Sequence, residues 1–132
     1  MSAPGKRDFR TPLGRARGMG SGKGGTGHFW WQRVTAVVLA LLVPWLLGTL
    51  VSLAGADLFT VQAALARPWN AIAFALFALA MFWHTKLGLQ VIIEDYVHVR
   101  AAEVVLQFLV TFLCALGALA SLYAIARVAL LA

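Results

Sequence analysis

The sequence predicts an all-α integral membrane protein with three transmembrane helices and a basic, glycine-rich N-terminal tail. Three observations lead there: the overall composition, three apolar runs of bilayer length, and the segregation of charge at one end. Of 132 residues, 61% are hydrophobic and only 12% charged, whereas about a quarter of a soluble domain is charged. The mean hydropathy is +0.83. The net charge of +6 arises entirely within residues 1–33, where Lys6, Arg7, Arg10, Arg15, Arg17, Lys23 and Arg33 face only Asp8. Beyond them Arg67, Lys86, Arg100 and Arg127 balance Asp57, Glu94, Asp95 and Glu103. A basic tail beside a hydrophobic segment orients the chain in the membrane and is attracted to anionic lipid. The high pI therefore points to the lipid bilayer and not to nucleic acid.

Residues 1–33 are expected to form a cytoplasmic basic tail with an interfacial segment at its end. The first 27 hold eight of the twelve glycines, a composition that resists long helices and packs no core. Gly20-Ser-Gly-Lys-Gly-Gly25 matches GxGxxG, but no strand precedes it and a membrane helix follows, so the nucleotide-binding context is missing. His28-Phe-Trp-Trp-Gln-Arg33 then sets aromatic rings and a cation where the headgroups lie. The first span, about 34–53, has twenty residues without a charge, enough to cross about 30 Å of hydrocarbon. Pro44 inside it is tolerated where neighbouring helices satisfy the freed carbonyl. Ala54-Gly-Ala56 mimics a signal-peptidase site, but the long apolar run and its basic lead favour uncleaved insertion.

Residues 55–69 make a short connection whose single basic residue, Arg67, leaves it on the outer side by the positive-inside rule. The second span, about 71–97, returns the chain to the cytoplasm, and the third, about 104–130, leaves the C-terminus outside. The membrane domain is thus 34–132. In the third span Ala115, Gly117, Ala118 and Ala120 suit close helix contact, and Arg127 can snorkel outward. Cys114 has no second thiol to pair with and reads as a packing residue. Two or three apolar helices leave little interior for a self-contained core, so the chain is expected to be a subunit of something larger.

The second span carries the candidate chemistry. His84 sits near its middle, where an imidazole needs a partner, and no acid of this chain lies at that depth. Imidazole is a common axial ligand of haem iron, and Gly88, one turn along the same face, would let a flat macrocycle approach. A histidine hydrogen-bonded to a neighbouring helix fits the position equally well. Asp95 lies eleven residues on, about 20° round the wheel and roughly 16 Å further along the axis. With Tyr96 it pairs a carboxylate with a phenol at the membrane surface, able to hydrogen-bond a carbonyl and relay protons. Simple interfacial anchoring is the plainer alternative. Arg33 is expected at the same cytoplasmic level as Tyr96, either as a topology anchor or against an anionic cofactor edge. Lys86 points nearly opposite to His84 and receives no role. His98 reads as an exposed interfacial residue, sharing the His84 face only if the helix persists that far.

The pattern His84, Gly88, Gln90-Val91, Asp95-Tyr96-Val97, joined by Arg33-Val-Thr-Ala36, resembles the hydrophobic membrane anchor subunits of succinate dehydrogenase. The lead Thr11–His28 is similar to the tails of alphaproteobacterial members. The resemblance spans nearly the whole chain, but only the second-span motif is specific. It implies a three-helix anchor in a bacterial inner membrane, holding a flavoprotein subunit and an iron–sulfur subunit together with a companion cytochrome b anchor subunit. It also implies that His84 is one axial ligand of haem b, that Tyr96 donates a hydrogen bond to ubiquinone with Asp95 supporting proton delivery, and that Arg33 lies near the haem propionates or the quinone pocket. His28 is one position out of register and takes no role from it. A fumarate reductase-type anchor, or a non-catalytic membrane assembly protein, would share most of these features.

Overall fold

A computed structural model describes residues 23–131 together with the isolated Leu13. Among the described residues the chain forms four helices: α1 (Lys23–Ser52), α2 (Leu58–Ala66), α3 (Pro68–Tyr96) and α4 (Arg100–Leu131). Three of them are long and apolar enough to cross a membrane: Thr26–Ser52, Pro68–Tyr96 and Arg100–Leu131. The expected architecture is borne out, and the chain is a multi-pass membrane protein.

Two boundaries differ from expectation. Helix α1 begins at Lys23, eleven residues ahead of the predicted start of the span. Each helical glycine costs about 1 kcal/mol relative to alanine. However, a helix nucleated by a long apolar run extends without a new nucleus, and near the end of this extension Trp31 stacks with Trp83 and Gln32 approaches Gly88 of α3. The rest of the expected tail, Leu13 aside, lies outside the described residues. The connection after the first span also contains structure. Gly55 takes a φ of 80°, which a residue without Cβ adopts at little cost. Asp57 then stands at the N-cap of the nine-residue α2, its carboxylate accepting a hydrogen bond from the Thr60 hydroxyl. That bond holds the Asp57 carboxyl below the usual carboxylate range.

Arg67 is extended and Pro68 opens α3, as proline does where its missing N–H is not needed and the residue before it avoids the helical region. Asn70 Nδ2 donates to Ala64 O at 2.8 Å, satisfying a carbonyl left free at the end of α2. At the other end the Val97 N–H closes α3 on Ile93 O at 2.9 Å. Residues 97–99 lead into α4, so His98 is not on α3 and does not share the face of His84.

Helix α3 is central. It packs against α1 on one side and α4 on the other, α2 sits against α3 and α4, and α1 and α4 do not meet among the described residues. Among the described residues the buried apolar ones, Ala78, Ala80, Leu87 and Ile93, all belong to α3. The α3–α4 approach is close at Gly117, where a Cβ would lie 2.5 Å from Phe82 Cε1. The helices form an open row, α1–α3–α4, whose outer faces remain uncovered.

Candidate functional site

A cluster of polar groups lies along the seam between α1 and α3. His28, Gln32 and Thr35 recur at i, i+4 and i+7, which sets them along one face of α1. Thr35 is the one buried polar residue among those described, 7% exposed. Its Oγ1 lies 2.9 Å from His84 Nδ1, 2.8 Å from Trp31 O and 3.2 Å from Gln32 O. A Cβ added at Gly88 would meet only Gln32 Nε2, at 3.9 Å. Two further polar atoms on this face of α1, His28 Nε2 and Gln32 Oε1, are out of contact with solvent and have no hydrogen-bond partner among the described residues. Aromatic rings flank it, Trp31 and Trp83 with centroids 5.5 Å apart and Trp45 and Phe74 5.1 Å apart.

These contacts fix an antiparallel register in which Thr35 faces His84, Trp45 faces Phe74 and Gln32 faces Gly88. Arg33, two residues before Thr35, therefore lies at the depth of Lys86, two residues after His84. Tyr96 is ten residues beyond Lys86, about 15 Å along the axis. The expectation that Arg33 and Tyr96 share a level is corrected: the α3 helix carries Tyr96 well past it. Arg33 lies over the Phe29 ring at 4.9 Å, a cation–π distance.

At the end of α3, Asp95 is exposed and Tyr96 is 77% exposed. Glu94 is engaged by Gln90 Nε2 at 2.9 Å and, from α4, by Gln107 Nε2 at 3.3 Å. Asp95 has no such side-chain bond among the described residues, which leaves its carboxylate open to water. No group of three or more His, Cys, Asp or Glu converges to hold a metal ion among the described residues.

Comparison with known proteins gives the seam a context. A family model described as "Succinate dehydrogenase/Fumarate reductase transmembrane subunit" matches residues 7–123. The chain belongs to this family. Among relatives named as succinate dehydrogenase hydrophobic membrane anchor subunits, that of Rickettsia bellii is 37% identical over 90 residues, 68% of this chain and 72% of the relative. That of Rickettsia conorii is 31% identical over 108 residues, 81% and 86% of the two chains. That of Paracoccus denitrificans is 33% identical over 122 residues, 92% and 94% of the two chains. No solved structure matches. The resemblance read from the sequence is thus borne out at the level of the family.

Within this family member, His84 and Gly88 meet α1 in one seam, while Asp95 and Tyr96 stand apart from them at the far end of α3. Sequence reasoning misses Thr35 as a partner for His84, because it looks for an acid at that depth. It also misses Gln32. The available signal is the i, i+4, i+7 recurrence of His28, Gln32 and Thr35 in an otherwise apolar helix. His84 finds a partner within the chain for one ring nitrogen; Nε2 has none among the described residues.

Proposed function

We propose that the chain is the hydrophobic membrane anchor subunit of a succinate:ubiquinone oxidoreductase. In this reading it fixes the flavoprotein and iron–sulfur subunits to a bacterial inner membrane beside a companion cytochrome b anchor subunit. It contributes one axial ligand of haem b through His84 and part of the ubiquinone site through Tyr96 and Asp95. Family membership and the names of its relatives support the anchor role. The observation that carries the haem assignment is the 2.9 Å contact between His84 Nδ1 and Thr35 Oγ1. An imidazole whose Nδ1 is occupied keeps Nε2 for a metal, the usual pattern for histidine ligands. The donor set fits one side of a haem, with the second ligand coming from the companion.

When bound, haem b supplies a one-electron redox centre whose potential is set by its axial ligands and burial. Gly88 keeps the face one turn from His84 free of a side chain. Arg33 offers a cation about half a turn to the cytoplasmic side of Thr35, where it suits an anionic propionate edge better than a quinone beside Tyr96. At the cytoplasmic end, reduction of a quinone to a quinol consumes two electrons and two protons. The Tyr96 hydroxyl donates a hydrogen bond to a quinone carbonyl, and the Asp95 carboxylate passes protons from water to the same site. The electrons come from the iron–sulfur subunit.

Orientation follows from charge. The basic residues of the N-terminal segment hold it in the cytoplasm, α3 returns the chain there so that Asp95 and Tyr96 face the succinate-oxidising subunits, and α4 carries the C-terminus to the periplasm. The decisive experiment compares reduced-minus-oxidised visible spectra of membranes carrying the complex with wild-type or His84→Ala chain, with every subunit verified. Loss of the b-type signal in an assembled variant is expected. An unchanged signal would remove His84 from the haem while leaving the anchor role standing. Because the family also includes fumarate reductase subunits, turnover in both directions with the co-purified quinone identifies the physiological partner.

A further inference from the structure

We infer that Thr35 is a positioning residue for His84, fixing its tautomer with the proton on Nδ1 and the lone pair on Nε2. Counting protons leaves one arrangement. The Thr35 hydroxyl has one proton and lies near three possible acceptors: Trp31 O at 2.8 Å, Gln32 O at 3.2 Å and His84 Nδ1 at 2.9 Å. The two carbonyl oxygens can only accept. If the hydroxyl gave its proton to Nδ1, Oγ1 would face Trp31 O at 2.8 Å with no hydrogen between two electronegative atoms. If it donates to Trp31 O, the back-bond that threonine commonly makes in helices, one lone pair of Oγ1 turns to Nδ1, and the imidazole must supply the proton. Only the second arrangement satisfies every group.

The same contact fixes the direction of the ring. Threonine is restricted at χ1 within a helix, and this one is buried, so its oxygen is held before any ligand arrives. Donation from Nδ1 raises the basicity of Nε2, and such outer partners of a ligating histidine typically change metal affinity or activity by about 10–100-fold when removed. A more basic axial nitrogen favours oxidised iron. The inference rests on the haem-ligating reading of His84 and adds a residue on another helix that sets both tautomer and potential.

The test uses the assembled complex with Thr35→Val, which keeps the shape and loses the hydroxyl, and Thr35→Ser, which keeps the hydroxyl and loses the methyl. With Thr35→Val the oxidised-to-reduced ratio of the b-type centre at a fixed ambient potential should fall about threefold to tenfold, tenfold being 59 mV for one electron. Thr35→Ser should match wild type. A Thr35→Val complex with an unchanged ratio overturns the inference, as does a Thr35→Ser complex shifted as far as the valine one. Should Thr35→Val fail to assemble, ¹⁵N spectra of the haem-free, histidine-labelled full-length chain decide the matter, with the His84 signals assigned by comparison with His84→Ala. Protonated Nδ1 supports the inference, and protonated Nε2 sinks it. The two readings fail separately: a b-type spectrum that survives His84→Ala ends the haem assignment, whereas its loss together with a flat Thr35 series ends the positioning role alone.

Discussion

Replacing Gly117 by alanine tests the packing of α4 on α3 directly. The added Cβ would lie 2.5 Å from Phe82 Cε1, 2.7 Å from Cζ and 3.3 Å from Cδ1, whereas non-bonded carbons settle at about 3.5–4.0 Å. The overlap is about 1 Å against two atoms of a rigid ring. Either α4 lifts from α3 or the ring leaves its rotamer, and overpacking of this kind typically costs about 1–3 kcal/mol. Phe82 borders an open groove with Trp83, Lys86 and Cys114, so the ring has somewhere to go and the middle of that range is expected. Reversible unfolding of the full-length chain in mixed detergent micelles, followed by tryptophan fluorescence, measures the loss. The same change made in a Phe82→Leu background should cost less than about 0.5 kcal/mol, because leucine has neither of the two nearest atoms; contacting residues couple by this much. If Gly117→Ala is neutral in the wild-type chain, or costs the same in both backgrounds, the close α3–α4 approach is wrong.

Gly88→Ala behaves in the opposite way. Its Cβ would meet only Gln32 Nε2 at an ordinary 3.9 Å, so the isolated chain should be unchanged or up to about 1 kcal/mol more stable; haem content measured by haemochrome in the assembled complex should nonetheless fall if that face packs on the macrocycle. Tyr96→Phe should lower quinone reductase turnover while succinate oxidation by a soluble acceptor and haem content stay at wild-type levels, and unchanged quinone turnover would take Tyr96 out of the site. Asp57 accepts from Thr60 and is held low, so its contribution is fully present above the unfolded value of about 3.9 and disappears as pH falls through the lower folded one. Carboxyl ¹³C titration should find Asp57 below about 3.9 in the wild type and raised toward it by Thr60→Val.

What can be read from the sequence follows from what each signal measures. The three spans are legible because bilayer thickness sets a length and desolvation excludes charge, and both are properties of a linear string. The early start of α1 is not legible in the same way. Glycine-rich composition in residues 23–27 disfavours a helix locally, and it is the long apolar helix behind them, already nucleated, that extends through them. Helix α2 escapes for a related reason: nine residues between two spans carry no periodicity long enough to separate a short helix from a loop. The site shows the same division. His84, Asp95 and Tyr96 stand out as rare polar residues on an apolar face, but Thr35 is an ordinary residue in a membrane helix until the register sets it opposite His84. The misjudged depth of Arg33 has this origin too, since depth depends on how α1 slides along α3 and no single helix records it.

The open row explains why the chain needs company. With α1 and α4 both on α3 and not on each other, each groove flanking α3 has one wall missing, and large apolar side chains such as Leu41, Phe108 and Phe112 stand more than 60% exposed. Lipid can cover these, because it is as apolar as they are. It cannot satisfy His84, whose Nε2 has no partner among the described residues. Hydrocarbon supplies no hydrogen bonds, and each unsatisfied polar group held in it costs several kcal/mol. His84 Nε2 therefore calls for water, a cofactor or another protein, while the α4 side is mostly apolar apart from Lys86 in its groove with α3. In the proposed complex the group that completes His84 meets the chain at this seam, and variants at Thr35, Gln32 or His84 should disturb assembly or cofactor content where apolar changes on the outer face of α4 do not.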